Sequence, residues 1–226
     1  MTIVTGILLI AVPLAFNALF FALQRSFSYP AILRKPTGEV LEKFAAGGAR
    51  LRAIWYAFAF TALVFVPLPV LVQQLFREPP WYLGAATVIG VLAGVAQTMG
   101  LLRWSFLVPV LARAWTDKDA TPAHKDATEV VFEAFHRFVG GGIGEHLGYL
   151  LTAAWTILIC VAIIQTHLVS AWLAGLGIVA AIGILIGVLE EANVKWAGLI
   201  NAIAYVVWSI WLLAFGVRIL FLHPLA

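Results

Sequence analysis

Only 11% of the 226 residues are charged, so the groups able to do chemistry can be weighed one at a time. Glu145 and His146 stand side by side in Gly144-Glu145-His146-Leu147-Gly148-Tyr149. A carboxylate and an imidazole at one place can trade a proton near neutral pH. Arg103 is a permanent cation inside an otherwise apolar run. Glu133-x-x-His136 has the spacing of one carboxylate–imidazole ligand pair, but a di-metal bundle needs two such pairs and further carboxylates. His124, Glu133, His136, Glu145 and His146 are the residues that could gather a metal; solvated interfacial positions account for them more simply, and no metal is assigned. Haem held by two imidazoles would need histidines at matching depth on different helices, and only His146 lies near the membrane. No Gly-x-Ser-x-Gly elbow, phosphate-binding glycine loop or His-Glu-x-x-His motif occurs. Cys160 stands alone, which excludes an internal disulfide. The ionisable residues name no reaction and no cofactor.

The elements that must position these groups are set by composition. Hydrophobic residues make up 63% of the chain, and the mean hydropathy is +1.00. Soluble domains run at about 45–50% apolar and about 25% charged, so this apolar surface requires lipid as its solvent. The net charge of +3 is small and no basic patch is interleaved with aromatics, so nucleic acid is not a partner. The expected partner is the bilayer, with a homo-oligomer or a membrane protein partner left open. The fold class that follows is all-α: a polytopic transmembrane bundle of about six spans. The apolar runs fall at roughly 2–24, 53–76, 81–102, 144–166, 169–189 and 196–220, all within one integral membrane domain covering 1–226. Met1-Thr2-Ile3 lacks a positive leader region, so the first run reads as a retained helix.

Eleven of the fourteen Lys and Arg residues lie in the connections after helices one, three and five, which predicts that those connections face the cytoplasm. Both termini are then outside, in a multi-pass protein of the plasma (inner) membrane. Trp55, Tyr56, Trp115 and Trp196 should mark the inner boundary, and Trp81, Tyr82 and Trp172 the outer. Pro67-Leu68-Pro69 should kink the second helix. Residues 122–139, opened by Thr121-Pro122, carry Val131, Phe132, Phe135, Phe138 and Val139 on one face. They predict an amphipathic helix on the cytoplasmic side, lying on the membrane surface or packed on the cytoplasmic ends of the bundle. Gly140–Gly144 should be a hinge between it and the fourth span. Gly90-xxx-Gly94 and Gly183-xxx-Gly187 are small-residue stripes of the kind that let helices pack closely in lipid.

Counting from the loops gives the depth of each polar group. Asn17 and Gln24 fall in the inner half of helix one, and Gln97 and Arg103 toward the inner end of helix three. Glu145 and His146 open helix four; Glu145, Tyr149, Thr152 and Thr156 then follow one helical face. Glu190 ends helix five beside Glu191, and Asn201 begins helix six near Tyr205. Polar groups in a bilayer are costly, about 2.5–3.5 kcal/mol for a charge at mid-depth, and therefore point to function. Asn17, Gln24, Gln97, Arg103, Glu145, His146, Tyr149, Glu190 and Asn201 form the expected ligand or ion site. Arg103 and Glu145 are its natural ion pair, with Glu190 the competitor. The simpler accounts are a structural pair that fixes packing, or Arg103 snorkelling to phosphates. A small transporter or ligand-responsive membrane module fits the cluster best. A membrane-embedded enzyme using Glu145 and His146, or a scaffold subunit of a membrane complex, are the alternatives.

Leu101-Leu102-Arg103-Trp104 and the run from Gly144 through Trp155-Thr156 resemble a family of bacterial integral membrane proteins, domain of unknown function 4386. The resemblance extends over nearly the whole chain. It implies a polytopic bacterial membrane protein and supplies no substrate, cofactor or catalytic residue.

Overall fold

Long apolar runs satisfy their backbone polar groups internally only by coiling into helices. The computed structural model describes residues 1–190, 192 and 194–222, and every regular element among them is helical. The helices are α1 (Thr2–Phe27), α2 (Thr37–Phe65), α3 (Leu68–Gln73), α4 (Leu83–Phe106), α5 (Val108–Thr116), α6 (Pro122–Phe135), α7 (Gly148–Thr166), α8 (Ala171–Ile186) and α9 (Ala197–Leu222). Short 3-10 turns follow α1 (Ala31–Arg34) and α8 (Gly187–Glu190), and a π-helix, His136–Leu147, joins α6 to α7. Six stretches are long and apolar enough to cross a membrane, as expected. The chain is a multi-pass membrane protein whose surroundings are a lipid bilayer.

The spans close into a ring. α1 packs on α2, α2 on α4, α4 on α7, α7 on α8, α8 on α9, and α9 back on α1. Short connections between antiparallel neighbours produce this order. The connections after α1, α5 and α8 gather at one end, here called the basic end. There Arg34 reaches Glu190 at 3.7 Å and the Trp115 indole donates to Glu42 at 3.2 Å.

Several elements differ from the sequence expectation. A helical stretch from Thr37 precedes the second span and is joined to it across a kink at Gly48, whose φ 55, ψ −148 is a conformation essentially confined to glycine. At the predicted proline kink the helix is interrupted between Phe65, the end of α2, and Leu68, the start of α3, while Val66 and Pro67 keep helical backbone angles. Pro109 imposes a second break between α4 and α5, because it brings no amide proton to continue the ladder. The glycine run is not a hinge. It is wound into the π-helix, and α6 runs into α7 without a turn. On the amphipathic helix Phe132 is buried against the bundle, whereas Val131, Phe135 and Phe138 face outward. Trp55 is not a boundary residue: it is fully buried, its indole stacked on Trp104 at 4.6 Å and 10°. Trp81, Trp172, Trp196 and Tyr56 are exposed.

Contacts between helices that are not ring neighbours define the interior. Trp155 of α7 meets Phe65 of α2 (5.4 Å) and Trp208 and Trp211 of α9 (6.5 and 6.2 Å). These rings fill the centre of the bundle. A second core lies at the basic end, where Phe27, Phe44, Trp55, Trp104 and Phe132 meet between α1, α2, α4 and α6.

Candidate binding site at the basic end

Spacing on two antiparallel helices builds the site. Gln97, Gly100 and Arg103 recur every three residues along α4. Gly140, Gly144 and Gly148 recur every four along the π-helix and the start of α7. The two rows face each other. A Cβ on Gly144 would lie 2.9 Å from the Gly100 Cα, and one on Gly100 only 2.6 Å from the Gly144 Cα. The same construction at Gly148 meets the Gln97 Cγ at 3.1 Å, and at Gly140 the Arg103 guanidinium carbon at 2.6 Å. The glycines are therefore a groove free of Cβ atoms. It seats backbone against backbone at Gly100 and a guanidinium at Gly140. The predicted stripes on α4 and α8 serve differently. Gly90 receives the Trp155 indole, Gly183 the Ala204 methyl and Gly187 the Asn201 side chain.

Arg103 is 8% exposed. Its Nη1 donates to the Gly100 carbonyl, and its guanidinium lies 5.3 Å from the Trp104 ring. Glu145 is half-buried, and its carboxylate acts electrostatically on Arg103 and on the Tyr29, Tyr149 and Tyr205 hydroxyls. Tyr29 comes from the loop after α1 and packs edge-on to Trp55 at 5.1 Å. Burial, reinforced by Glu145 and opposed by Arg103, pushes its phenol up to about 12.

From Glu145 a file of polar side chains enters the ring. Tyr149 and Tyr205 touch at 5.6 Å, and the Tyr205 hydroxyl faces Thr152. Gln97 donates to the Thr152 hydroxyl at 2.7 Å, and the Trp208 indole to the Thr156 hydroxyl at 2.8 Å. On the other side Asn17 donates to the Pro13 carbonyl (2.7 Å) and the Ser209 hydroxyl (3.0 Å). Between these lies a cavity of about 30 Å³, bordered by Phe16, Thr61, Gln97, Tyr205 and Ser209 among others. Its lining is mainly apolar, with Val12, Pro13, Phe65 and Leu212 joining Phe16. The file ends at the Phe65, Trp155 and Trp211 rings.

Of the residues expected in the site, Gln97, Arg103, Glu145 and Tyr149 come together, and Asn17 borders the same interior. Gln24 and His146 are exposed. Glu145 and His146 diverge, one toward Arg103 and one to the surface. Glu190 pairs with Arg34 on the rim, where both side chains are largely exposed. Asn201 is buried and donates to the Ile184 carbonyl at 3.1 Å, tying α9 to α8. Glu191 lies outside the described residues. Tyr29, Trp55 and Trp104 were not foreseen. Tyr29 sits in a loop with only a turn signal, and nothing in the sequence brings it to Arg103. Among the described residues no three His, Cys, Asp or Glu side chains gather as a metal would require.

Among the described residues Arg103 Nε, Trp104 Nε1, Ser105 Oγ, Trp55 Nε1 and His136 Nδ1 are buried here without a hydrogen-bond partner, as are the Trp155 and Trp211 indole N–H groups at the bundle centre. Each such group costs about 1–3 kcal/mol.

The family model for the domain of unknown function (DUF4386) matches residues 4–216, and the chain belongs to that family. No curated protein and no solved structure matches it.

Proposed function

We propose that the protein is a small transporter or ligand-responsive membrane module whose working site is the polar file at the basic end of the ring. One observation carries this reading. Arg103 and Glu145 stand at the mouth of a closed ring, and uncharged polar side chains from α1, α4, α7 and α9 continue inward from them. A pair that served only to fix packing would not need that continuation. Lipid-facing structure is better served by apolar contacts, and buried polar groups in membranes mark ligand and ion paths. The aromatic block beyond Thr156 supports a site open from one end rather than a through-pore. The basic end is proposed to face the cytoplasm, with both termini outside, from the distribution of Lys and Arg.

Thiol labelling tests both halves. In a Cys160→Ala background, Ser28→Cys and Lys118→Cys should be shielded from an impermeant reagent in intact cells, and Arg77→Cys should label. In membranes opened to both sides, Gln97→Cys and Thr152→Cys should react with a small water-soluble reagent. Loss of that reactivity on adding a permeating solute would identify the ligand. Complete inertness at both positions, with the loop cysteines reactive, would overturn the polar site.

A further inference from the structure

The outer surface of the ring carries a pattern of its own near the basic end. Phe21 of α1, Tyr56 of α2 and Phe106 of α4 are exposed, at 50%, 55% and 66%. They stand at one level. Tyr56 meets Phe106 edge-on at 6.4 Å. Phe20, beside Phe21, meets Phe58, two residues from Tyr56, at 6.4 Å. α1 packs on α2 and α2 on α4, so the three rings occupy one arc of the lipid-facing surface. Exposed aromatic rings in such a protein settle at headgroup depth.

An arginine stands beyond each ring, toward the basic end. Arg25 follows Phe21 by one turn of α1 and lies over its ring at 4.3 Å. Arg52 precedes Tyr56 by one turn of α2, which runs the opposite way. Arg113 follows Phe106 by two turns, with the exposed Val110 between them at helical spacing. All three arginines are exposed. Among the described residues the ion pairs are Arg34–Glu190 and Lys35–Glu39, and none of the three takes part in one. A guanidinium on a long apolar stem at this depth reaches phosphate oxygens, and its planar fork can hold two of them at once.

We propose that Arg25, Arg52 and Arg113 form a docking arc for anionic phospholipids in the leaflet at the basic end, each guanidinium holding a headgroup phosphate. Sign and place select this occupant. Three cations without carboxylate partners lie on a surface already continuous with lipid, at the level the aromatic rings mark. An anionic lipid supplies the net charge that a zwitterionic one lacks. The arc lies on the outside of the ring and is independent of the polar file within it.

Native mass spectrometry of the full chain tests it. The protein is purified in neutral detergent and equilibrated with equal amounts of phosphatidylglycerol and phosphatidylcholine. The wild type should retain phosphatidylglycerol in preference. Arg25→Gln, Arg52→Gln and Arg113→Gln should each lower that preference by about fivefold, and the triple variant should abolish it. A charge-matched control, Arg34→Gln with Lys35→Gln and Lys118→Gln, removes three exposed cations from the connections and should keep the preference. Equal retention of the two lipids by the wild type overturns the arc. So does a preference that survives in the arginine triple, or one that the control loses as fully.

Discussion

Removing the Glu145 carboxylate should destabilise the protein more than removing the Arg103 cation, and removing both should cost less than the two losses added. The asymmetry follows from burial. Arg103 is 8% exposed, so Glu145→Leu leaves a buried cation facing the Gly100 carbonyl, the Trp104 ring and the Tyr29 and Tyr149 hydroxyls. Breaking a buried pair this way costs about 3–5 kcal/mol. Glu145 is only half-buried, so screening by water argues for the lower end, about 3 kcal/mol. Arg103→Leu leaves a carboxylate that can reach water or take up a proton, at a cost of about 1–2 kcal/mol. For a chain of this size each kcal/mol moves the melting temperature by about 2–4 °C, so Glu145→Leu should lower it by about 6–12 °C and Arg103→Leu by about 2–8 °C. The assay is thermal melting in detergent of the wild type, both single variants and the double variant, read as a double-mutant cycle. The expected coupling is about 1 kcal/mol or more, with the leucine pair recovering much of the loss from Glu145→Leu. Losses that add to within about 0.5 kcal/mol would refute the pairing.

Further outcomes are expected from melting measurements on other variants. Gly144→Ala should be strongly destabilising, by about 1–3 kcal/mol, because its new methyl meets the Gly100 backbone, which cannot move aside. Gly175→Ala, whose methyl meets nothing within 4 Å, should be neutral or stabilising by about 0.5–1 kcal/mol in the same melting assay. The Tyr29 phenol is raised in the folded chain from 10.0 to about 12, so its contribution is complete below about pH 10 and declines as pH rises toward 12. Melting temperatures measured from pH 8 to 11 should therefore fall less steeply above about pH 10 in Tyr29→Phe than in the wild type, and equal slopes would sink the assignment. Asn201→Leu removes the bond to the Ile184 carbonyl and should cost about 1–2 kcal/mol, seen as a lower melting temperature, whereas Gln24→Leu on the exposed side of α1 should change it little.

The sequence by itself determined the solvent, the secondary structure and most of the polar depth. Runs of about 20 apolar residues admit one economical backbone, the helix, so the count of six spans followed from length and hydropathy alone. The helical spacing of Glu145, Tyr149, Thr152 and Thr156 likewise fixed one polar face, and all four turn toward the bundle interior or its mouth. What periodicity does not carry is which faces meet. Gly140, Gly144 and Gly148 read locally as a flexible break; only the approach of α4, with Gly100 and Arg103 filling the space their missing side chains leave, makes them a rigid groove. Trp55 has the residue type and position of an interfacial anchor, and it is buried only because Trp104 of another helix stacks on it. Tyr29 follows a helix end in a loop, and its place beside Arg103 depends on how that loop folds back over the basic end. Glu190 and Gln24 show the converse. Depth put them near the cluster, but rotation about their helix axes left both exposed, and Glu190 found Arg34 at the rim. Depth is a one-dimensional property that counting along a helix recovers. The direction a side chain takes around the ring is set by six mutual packings at once, and those belong to the tertiary structure.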